Sequence, residues 1–383
     1  MWATWAYSIV MFLLAGATPA GAGGPLTLTR PELSDSSFTL LGDLPGGAVM
    51  SRATAVSADG STVVGYSSST GVDPNGGDEA FRWKNGQLMG LGSPTQGPGK
   101  FSRATGVNWD GSRVTGNSRP LSLDRPFLWE NGALASVFFE ESIAGQMADN
   151  GHFVVHSHYG PSIWSAVVVS SGGHLNIPMI QGGDPVQVGV RALGISSDGL
   201  AAFGKSSISG GQQRAIRWRY GEGSYSIPMF TGCTQNEITA ISGIGDVAVG
   251  VCEAESLSPQ VFRWSPSTGT QPFVGGIPAV AMSDDASVMI SEDSIWDNSN
   301  GKRTIPSYFD SLGFAIQWSN VSRLVATDLT PNGRVMVGYI EWTDGTTEAW
   351  RAVIPEPAAA LMLAPALLML RRRGNRNLNK YGE

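Results

Sequence analysis

Residues 57–66 read SADGSTVVGY, and the tetrapeptide AFRW follows at residues 80–83. The same pair of phrases returns as NWDGSRVTGN with PFLW at residues 108–129, and as SSDGLAAFGK with AIRW at residues 196–218. An Asp-Gly pair between two β-prone segments is a strong hairpin signal, because both residues tolerate the positive φ of a tight turn. The repeated element is therefore predicted to be a β-hairpin followed by a strand that ends near tryptophan.

Seven copies of this pattern can be followed along the chain. Each copy pairs one turn with one tryptophan, in order. The turns are Asp59-Gly60, Asp110-Gly111, Asn150-Gly151, Asp198-Gly199, Gly245-Asp246, Asp285-Ala286 and Asn332-Gly333. The tryptophans are Trp83, Trp129, Trp164, Trp218, Trp264, Trp296 and Trp350. The chain is thus predicted to contain seven repeat units, numbered here from first to seventh.

Each unit is predicted to form a four-stranded antiparallel sheet. A second hairpin follows the AFRW strand, at Asn85-Gly86 in the first unit and at Asn131-Gly132 in the second. Val63 and Val64 are adjacent and must point to opposite faces of such a sheet, so both faces are apolar. Successive turn glycines 60, 111, 151 and 199 lie 51, 40 and 48 residues apart, a period typical of propeller blades. The predicted fold is all-β, a seven-bladed β-propeller of four-stranded antiparallel blades.

The two ends of the repeat region complement each other. The seventh unit reaches its third strand in EAWRAVIP, residues 348–355, and no fourth strand follows. The orphan segment SFTLLGDLPGG at residues 37–47 looks like the closing segment GQLMGLGS of the first unit. We therefore expect Phe38–Leu44 to be the outer strand of the last blade, which leaves neither end of the ring as an open edge. The insertion SYFDSLGFAIQWSN, residues 307–320, is expected to form a short helix that caps one mouth.

The N-terminus has the features of a secretory signal peptide. Trp5 to Ala15 form an apolar stretch, and Ala20-Gly21-Ala22 fits the small-x-small pattern of a cleavage site. Residues 1–22 are accordingly predicted to be removed, although no Lys or Arg precedes the apolar stretch. A membrane anchor is the alternative, but the apolar run is too short to span a bilayer.

The C-terminus carries a second apolar stretch, residues 358–370, followed at once by Arg371, Arg372 and Arg373. Thirteen helical residues cover only about 20 Å of the roughly 30 Å hydrocarbon core. The three arginines should stay on the cytoplasmic side, which places residues 37–354 outside.

Composition and charge restrict the classes of function. A hydrophobic content of 42%, 50 glycines and only 15% charged residues indicate a packed, turn-rich β-protein. Five of the 25 basic and two of the 32 acidic residues lie in 355–383, so the rest has 20 basic and 30 acidic residues, a net charge of −10. An acidic surface disfavours contact with a phosphate backbone, so nucleic acid is not an expected partner.

Few residues point to chemistry. One tryptophan per repeat is explained by packing between neighbouring sheets, whereas Trp109, Trp318 and Trp342 lie outside that register and are candidates for exposed contacts. The turn aspartates fit hairpin formation better than calcium binding, which needs six or more converging oxygens. No nucleophile elbow, zinc-protease motif or recognisable pair of carboxylates appears, and no cofactor is expected.

The histidines and cysteines offer two weaker signals. His156 and His158 alternate onto one strand face and could share a metal, but no third ligand is evident, so no metal site is assigned. Cys233 and Cys252 flank the turn of the fifth unit, and reflecting Cys252 through that turn lands near Asn236. In an exported protein such a pair indicates a disulfide, with two free thiols as the alternative.

Two resemblances to known families add to these signals. LGDLPGG, VSADGSTVVG and EAFRW resemble the HAF family of probable extracellular repeats, which implies a secreted or surface-displayed protein. Pro355-Glu356-Pro357, the apolar stretch and the arginine cluster resemble the PEP-CTERM sorting signal of bacterial surface proteins. That resemblance implies that residues 355–383 act as a transient membrane anchor processed by an exosortase-type membrane protease. An ordinary C-terminal anchor is the alternative.

The expected function is that of an exported, non-enzymatic structural or binding module. Its location would be the cell envelope, cell surface or extracellular matrix, and its partners would be extracellular polysaccharide or surface proteins. The alternative is a secreted propeller enzyme, a polysaccharide lyase or glycoside hydrolase, whose acidic residues converge at one mouth of the central channel. Propeller enzymes assemble such sites from loops far apart in sequence.

Overall fold

The computed structural model describes residues 36–94, 97–119, 124–137, 141–159, 163–178, 189–207, 213–253 and 259–354. The predicted signal peptide 1–22 with Ala20 and Ala22, and the predicted sorting tail 355–383 with Pro355, Glu356, Pro357, Arg371, Arg372 and Arg373, lie outside the described residues. Within the described ranges, no helix has both the length and the apolarity needed to cross a bilayer.

The described residues are almost entirely β-structure, and each repeat unit contributes strands in antiparallel order. The chain begins with β1 (Ser37–Leu40), and the first two units contain β2 (Gly46–Val56), β3 (Thr62–Ser69), β4 (Gly77–Lys84), β5 (Gln87–Gly92), β6 (Ser102–Val107), β7 (Arg113–Ser118), β8 (Arg125–Glu130) and β9 (Ala133–Ser136). The third and fourth units contain β10 (Ser142–Met147), β11 (Phe153–Tyr159), β12 (Ile163–Ser170), β13 (Gly173–Ile177), β14 (Val190–Ile195), β15 (Ala201–Ser207), β16 (Gln213–Arg219) and β17 (Gly223–Ser226).

The fifth and sixth units contain β18 (Gln235–Ile241), β19 (Ala248–Glu253), β20 (Gln260–Ser265), β21 (Gly269–Pro272), β22 (Ala281–Met282), β23 (Val288–Ile290), β24 (Ser294–Asp297) and β25 (Gly301–Thr304). An α-helix, α1 (Ile305–Ser311), and a 3-10 helix (Trp318–Asn320) precede the seventh unit, which contains β26 (Val321–Leu329), β27 (Val335–Trp342) and β28 (Thr347–Val353).

The units form four-stranded antiparallel sheets, with one departure from the prediction. The second to sixth units are separate four-stranded sheets, but the first and seventh units are joined in one eight-stranded sheet. The joint is a parallel bridge between Met50 of β2 and Thr347 of β28. Among the described strands no sheet closes on itself.

The N-terminal strand pairs with the last strand, as the sequence predicts. β1 runs antiparallel to β28, with Phe38 opposite Ala352 and Leu40 opposite Trp350. The strand ends at Leu40 rather than Leu44, although the Leu41 amide still donates to the carbonyl of Ala349 at 2.9 Å. β1 is therefore the fourth strand of the seventh unit.

Two faces of the molecule follow from the antiparallel order. The turn face carries the turn between the first and second strands of each unit and the hairpin between the third and fourth. The loop face carries the connections between second and third strands and those between units. On the turn face, Asn85 and Gly86 have φ of +54° and +80°, and Asn131 and Gly132 have +54° and +79°. These positive values are those of the predicted two-residue hairpin turns.

The apolar core lies between neighbouring units rather than inside any one of them. Val63 packs with Val337 of the seventh unit, whereas its neighbour Val64 packs with Val114 of the second. Both valines are fully buried. Each sheet therefore buries two apolar faces, which an isolated sheet would expose to water.

The helix of the insertion belongs to this core. Thr304 caps α1 by accepting a hydrogen bond from the Ser307 amide at 3.3 Å. Phe309 is fully buried, with its ring 5.7 Å from that of Phe38 and 5.6 Å from that of Trp350. The predicted short helix is present, and its buried face covers the junction of β1 and β28.

Candidate functional site at the centre of the turn face

The first strands of all seven units line one central cavity of about 100 Å³. Small or apolar side chains predominate where these strands face one another. One lining residue from each unit in turn is Ala55, Gly106, Gln146, Ile195, Ala240, Ala281 and Asp328. Asp328 is thus the one charged side chain at this level of the cavity.

The cavity opens on the turn face at a ring of turn residues, here called the mouth. The mouth consists of the residue that precedes the Asp or Asn position of each turn: Ala58, Trp109, Asp149, Ser197, Gly243, Asp284 and Pro331. Their side chains vary among the units, with Asp in two of them, while most of the residues on either side repeat. Within a repeat protein, such a variable position on a constant frame is where specificity can reside.

Backbone hydrogen bonds connect successive turns around the mouth. The amides of Asp59, Trp109, Asp149, Asp198, Gly243 and Asp284 donate, in that order, to the carbonyls of Trp109, Asp149, Ser197, Gly243, Asp284 and Pro331, at 2.8–3.3 Å. The order of the turns around the mouth is therefore the order of the units in the chain. Pro331 has no N–H group, so it cannot extend the series toward Ala58.

Trp109 is the exposed aromatic residue of the mouth. Its side chain is 55% exposed and borders a groove shared with Asp149 and Asp284. The two other tryptophans expected to be exposed, Trp318 and Trp342, are half-buried and donate to Asp310 and Glu348 at 2.6 and 2.9 Å. Of the three candidates, only Trp109 presents its ring to solvent.

Asp284 crosses the mouth towards Ser197 and Asp149 because Gly243 has no side chain. The Ser197 hydroxyl donates to Asp284 at 2.8 Å, and the Ser197 carbonyl accepts from the Asp149 amide at 3.0 Å. A Cβ at Gly243 would lie 2.2 Å from the Asp284 carboxyl carbon. The absence of a side chain at Gly243 therefore lets Asp284 reach from the sixth unit to the fourth.

The environment of this pair raises both pKa values. Burial, together with the negative charge of Asp284, raises the pKa of Asp149 to about 6. Burial also raises the pKa of Asp284; the hydrogen bond from Ser197 opposes this shift and the charges of Asp285 and Asp198 reinforce it. At mildly acidic pH such a pair can both donate and accept hydrogen bonds, which a fully ionised pair cannot do.

Asp328 lies at the junction of the seventh and first units. Its carboxylate accepts hydrogen bonds from the amide of Val56 at 2.9 Å and from that of Leu329 at 2.8 Å. Burial raises the pKa of Asp328 to about 7 although both hydrogen bonds favour the charged form. A side-chain oxygen thus joins β26 to β2 near the point where Pro331 interrupts the backbone series.

The remaining turn aspartates are used within their own turns. Asp59 accepts hydrogen bonds from the Ser57 hydroxyl at 2.6 Å and the Ser61 amide at 2.9 Å. Burial raises the pKa of Asp59, but these hydrogen bonds outweigh it and the net pKa is lowered. Asp198 repeats the geometry with Ser196 and Leu200. No group of three or more His, Cys, Asp and Glu side chains in the described ranges is placed to hold a metal.

The repeat tryptophans lie between units to different depths. Trp350 is fully buried, Trp129, Trp218 and Trp264 are buried, and Trp83 and Trp296 are half-buried. Trp164 lies opposite His158 in the pairing of β11 with β12, and both side chains fall outside the described part of the structure.

His156 is buried on β11, opposite Ala166. Burial and the positive charge of Arg191 lower the pKa of His156 to about 4, so the imidazole is neutral.

An arginine interlock recurs between units, and sequence reasoning missed it. Arg82 of the first unit donates to the carbonyl of Gly111 in the second unit at 2.8 Å and lies 5.5 Å from the ring of Trp129. The sequence feature that could have predicted this contact is the arginine directly before tryptophan in AFRW and AIRW.

The interlock also crosses from the seventh unit to the first. Arg217 of the fourth unit bonds Gly245 and lies over Trp264 in the fifth. Arg351 of the seventh unit bonds Gly60 at 3.0 Å and lies 6.0 Å from the ring of Trp83 in the first. The seventh and first units are therefore neighbours in the same sense as the first and second.

The two cysteines are joined on the loop face. Cys233 and Cys252 form a disulfide with their Cα atoms 5.7 Å apart. Asn236 is the residue opposite Cys252 in the pairing of β18 with β19, where the sequence placed it. The bond ties the connection before β18 to the end of β19.

The stacked four-stranded sheets around one cavity define an all-β repeat protein of β-propeller architecture. No protein-family model matches the chain, and no curated protein sequence does. The β-propeller domain of the Trilobed protease from Pyrococcus furiosus, which has an open velcro topology, is similar in fold, with a TM-score of 0.52 and 6% identity over 79% of this chain and 95% of that one.

Two further solved structures are similar at lower scores. TolB from Acinetobacter baumannii has a TM-score of 0.43 and 12% identity, over 78% of this chain and 65% of TolB, so the chain spans just under two thirds of that protein. Oligogalacturonate lyase from Vibrio parahaemolyticus has a TM-score of 0.36 and 12% identity, over 84% of this chain and 97% of the lyase.

Proposed function

We propose that this protein is an exported, seven-bladed β-propeller that acts as a non-enzymatic binding module of the cell envelope, cell surface or extracellular matrix. Residues 37–354 form the propeller, and residues 355–383 are a sorting tail handled by an exosortase-type protease. The binding site is the mouth around Trp109, and its ligand is an extracellular polysaccharide. A surface protein is the other class of partner.

The arginine interlock is the observation that supports the proposal of a closed ring. The contact from Arg351 to Gly60 and Trp83 repeats, across the chain ends, the contact from Arg82 to Gly111 and Trp129. The turn-to-turn hydrogen bonds give the order of the units, and the interlock supplies the step from the last unit back to the first. A linear stack of sheets would have no such contact.

The mouth supports a sugar ligand on chemical grounds. An exposed indole offers a flat apolar surface to the face of a sugar ring, and Trp109 provides it. Asp149 and Asp284 provide acceptors for sugar hydroxyls beside that surface. The net charge of −10 over the predicted mature chain disfavours polyanionic ligands.

A glycan array probed with the secreted chain tests this function. We expect binding to neutral or amino-bearing glycans, with a loss of at least about tenfold in affinity for Trp109→Ala, or about 1.4 kcal/mol. Tyr220→Ala is the matched control, because Tyr220 is also an exposed aromatic residue of the turn face but lies outside the mouth. Equal binding by wild type and Trp109→Ala would remove the mouth from the proposal.

The acidic pair favours one second candidate, a secreted propeller enzyme such as a polysaccharide lyase or glycoside hydrolase. Two neighbouring carboxyls with raised pKa values are what general acid–base chemistry needs. Incubating each bound glycan with the protein and analysing its chain length separates the candidates. Cleavage that is lost in both Asp149→Asn and Asp284→Asn would establish the enzyme, whereas binding without cleavage supports the module.

Export and sorting are tested by the masses of the two ends. We expect the mature N-terminus at Gly23, after removal of residues 1–22. We also expect loss of Arg371, Arg372 and Arg373 in cells that contain an exosortase-type protease and their retention in cells without it. Terminal peptides identified by mass spectrometry report both.

A further inference from the structure

Three exposed apolar side chains lie together on the turn face. Leu200, Tyr220 and Ile244, here called the apolar triad, are 41%, 60% and 52% exposed. The Tyr220 amide donates to the Leu200 carbonyl at 2.9 Å, and Arg219 donates to the Ile244 carbonyl at 2.7 Å. The three residues therefore lie close together across the fourth and fifth units.

The triad replaces polar residues of the repeat. Ile244 occupies the turn position that is Asp or Asn in the six other units, as at Asp59 and Asp110. Leu200 occupies the position two residues after the Asp or Asn of the turn, and that position is polar in the six other units, as at Ser61 and Ser112. Turn formation favours the polar residues at these positions, so the apolar side chains are not explained by the fold. Exposed apolar side chains grouped in this way mark an interaction surface.

Both ends of the described chain emerge on the same face. Ser37, at the start of β1, pairs with Val353, at the end of β28. The Ile354 amide donates to the carbonyl of Arg334, which directly follows the turn Asn332-Gly333, at 2.7 Å. Ile354 is only 1% exposed, so the chain is held by the fold up to that residue.

Three residues separate Ile354 from the apolar stretch of the predicted anchor. Residues 355–357 can span only about 10 Å when fully extended, and the apolar stretch 358–370 follows. A bilayer that holds this stretch must therefore lie close to the turn face and not to the loop face. The apolar triad lies two to three turns away from the seventh unit in the mouth series, far from the point of attachment.

We propose that the turn face lies against the outer surface of a phospholipid bilayer, with the apolar triad in the interfacial region, while the C-terminal segment is anchored. This inference rests on the proposed tail anchorage. The tail attaches one side of the turn face to the bilayer and the triad contacts the bilayer at another side. These two contacts fix the orientation of the turn face on the membrane. Tyrosine is enriched at the membrane interface, where its ring is buried and its hydroxyl stays wet. In this orientation the mouth faces the bilayer.

The charges of the turn face decide which lipid is suitable. Hydrogen bonds to Ser112 lower the pKa of Asp110, and hydrogen bonds to Ser57 and Ser61 outweigh burial and lower that of Asp59, so both stay ionised. Lys84 and Arg219 lie on the same face, so the face carries both signs of charge and gives no preference for a charged lipid. The probe is accordingly a vesicle of pure phosphatidylcholine.

Site-directed fluorescence on the full chain in such vesicles tests the orientation. The chain's two cysteines are both in the disulfide, so Ile244→Cys introduces a single free thiol for an environment-sensitive label. Val274→Cys is the control, an exposed aliphatic position in the loop-face connection between β21 and β22. With spin-labelled phosphatidylcholine we expect loss of fluorescence at position 244 and none at 274. Tyr220→Cys gives a second position in the triad.

Flotation of the same vesicles separates the two ways of failing. A chain that does not float with the vesicles overturns tail anchorage and this orientation with it. A chain that floats but shows equal quenching at 244 and 274, or quenching only at 274, overturns the orientation and leaves anchorage standing. Quenching at 244 and 220 but not at 274 establishes it. Glycan binding is measured on the chain that is free of the membrane. The result of the glycan array is therefore independent of the result on membrane orientation.

Discussion

Two junctions between units show how neighbouring units are held together: the junction of the first and second units, which the chain crosses, and the junction of the seventh and first, which it does not. Both bury valines and a phenylalanine from neighbouring sheets. Both carry the same arginine interlock, Arg82 to Gly111 in one case and Arg351 to Gly60 in the other. The repeat therefore supplies most of each junction, whether or not a peptide connects the two units.

The junction of the seventh and first units, here called the seam, carries an additional contact, in which Asp328 accepts from the Val56 amide. The bond from the Ala349 amide to the Ser51 hydroxyl at 2.9 Å is matched at the ordinary junction by that from Ala80 to Ser102. The pair of Arg52 with Glu341 is matched there by that of Arg103 with Asp78.

The seam lacks the backbone hydrogen bond between turns that the first six units share. Side chains, β1 and the parallel bridge between Met50 and Thr347 stabilise the junction that no covalent link holds together. Variants at the seam can be compared with equivalent variants at the junction of the first and second units.

The largest effect is expected from Trp350, which packs β1 onto the seventh unit. Trp350→Ala removes a fully buried indole between Phe38 and Phe309, and we expect a loss of about 4 kcal/mol in the free energy of unfolding. Trp83, across the seam, is half-buried, and its replacement by Ala should cost roughly half as much. Urea denaturation measures both.

A conservative variant separates packing from hydrogen bonding at Trp350. The Trp350 Nε1–H has no hydrogen-bond partner in the described structure, so Trp350→Phe keeps the ring contacts and should cost much less than the alanine variant. Equal losses for Trp350→Ala and Trp83→Ala would mean that β1 does not cover Trp350 in solution.

Asp328 makes the seam sensitive to pH. Its pKa is raised from 3.8 to about 7 in the folded chain, chiefly by burial, so between these values the native state binds a proton that the unfolded state does not. Stability therefore falls as pH rises through this window and levels off above it, by at most about 4 kcal/mol. In Asp328→Asn the fall in urea midpoint between pH 5 and pH 8 should shrink.

Asp149 provides the control for this pH dependence. Its pKa of about 6 is also raised, so Asp149→Asn removes a smaller part of the decline, and that part is complete at lower pH. An Asp328→Asn chain with the wild-type pH profile would show that Asp328 is hydrated or ionised in the native seam.

The arginine interlock allows a matched comparison of the seam with the ordinary junction. Arg351→Met removes the hydrogen bonds to Gly60, and Arg82→Met removes the one to Gly111, while each keeps much of the apolar stem. Each should cost about 1–2 kcal/mol, since a hydrogen bond from a charged donor contributes about that much. An Arg351→Met chain as stable as wild type, beside a destabilised Arg82→Met chain, would show an open seam in solution.

The repeat pattern made much of this fold predictable from sequence. The segments that interrupt the repeat could not be predicted in the same way. The Asp-Gly turns, the Asn-Gly hairpins, the two-sided apolar pattern at Val63 and Val64, and the pairing of the N-terminal segment with the last strand all follow from local turn chemistry and strand periodicity. The role of α1 did not, because only the three-dimensional contact of Phe309 with Phe38 and Trp350 shows why an apolar helix is inserted there.

The mouth was hidden from sequence reasoning for a different reason. Asp149, Ser197 and Asp284 are far apart along the chain, and their meeting depends on which turn residues face inward and on the missing side chain of Gly243. The search for carboxylates at a recognisable spacing could not find them. A signal was present in the varying residue of an otherwise constant turn.

The smallest effect is expected at Pro331, the residue that interrupts the hydrogen-bond series of the mouth. Pro331→Ala supplies the missing N–H, and by the pattern of the other turns it should donate to the carbonyl of Ala58. A new hydrogen bond contributes about 1 kcal/mol, while loss of the proline ring costs about 0.4–1 kcal/mol by loosening the unfolded chain. Stability should therefore change by less than about 1 kcal/mol.

The sensitive measurement is hydrogen exchange at amide 331. Protection comparable to that of the Asp284 amide, which bonds the Pro331 carbonyl at 2.8 Å, would show that only the proline keeps the mouth series from closing. Exchange at the rate of a free amide would show that the seventh and first turns stand apart, and that the seam is held by side chains, β1 and the bridge between Met50 and Thr347.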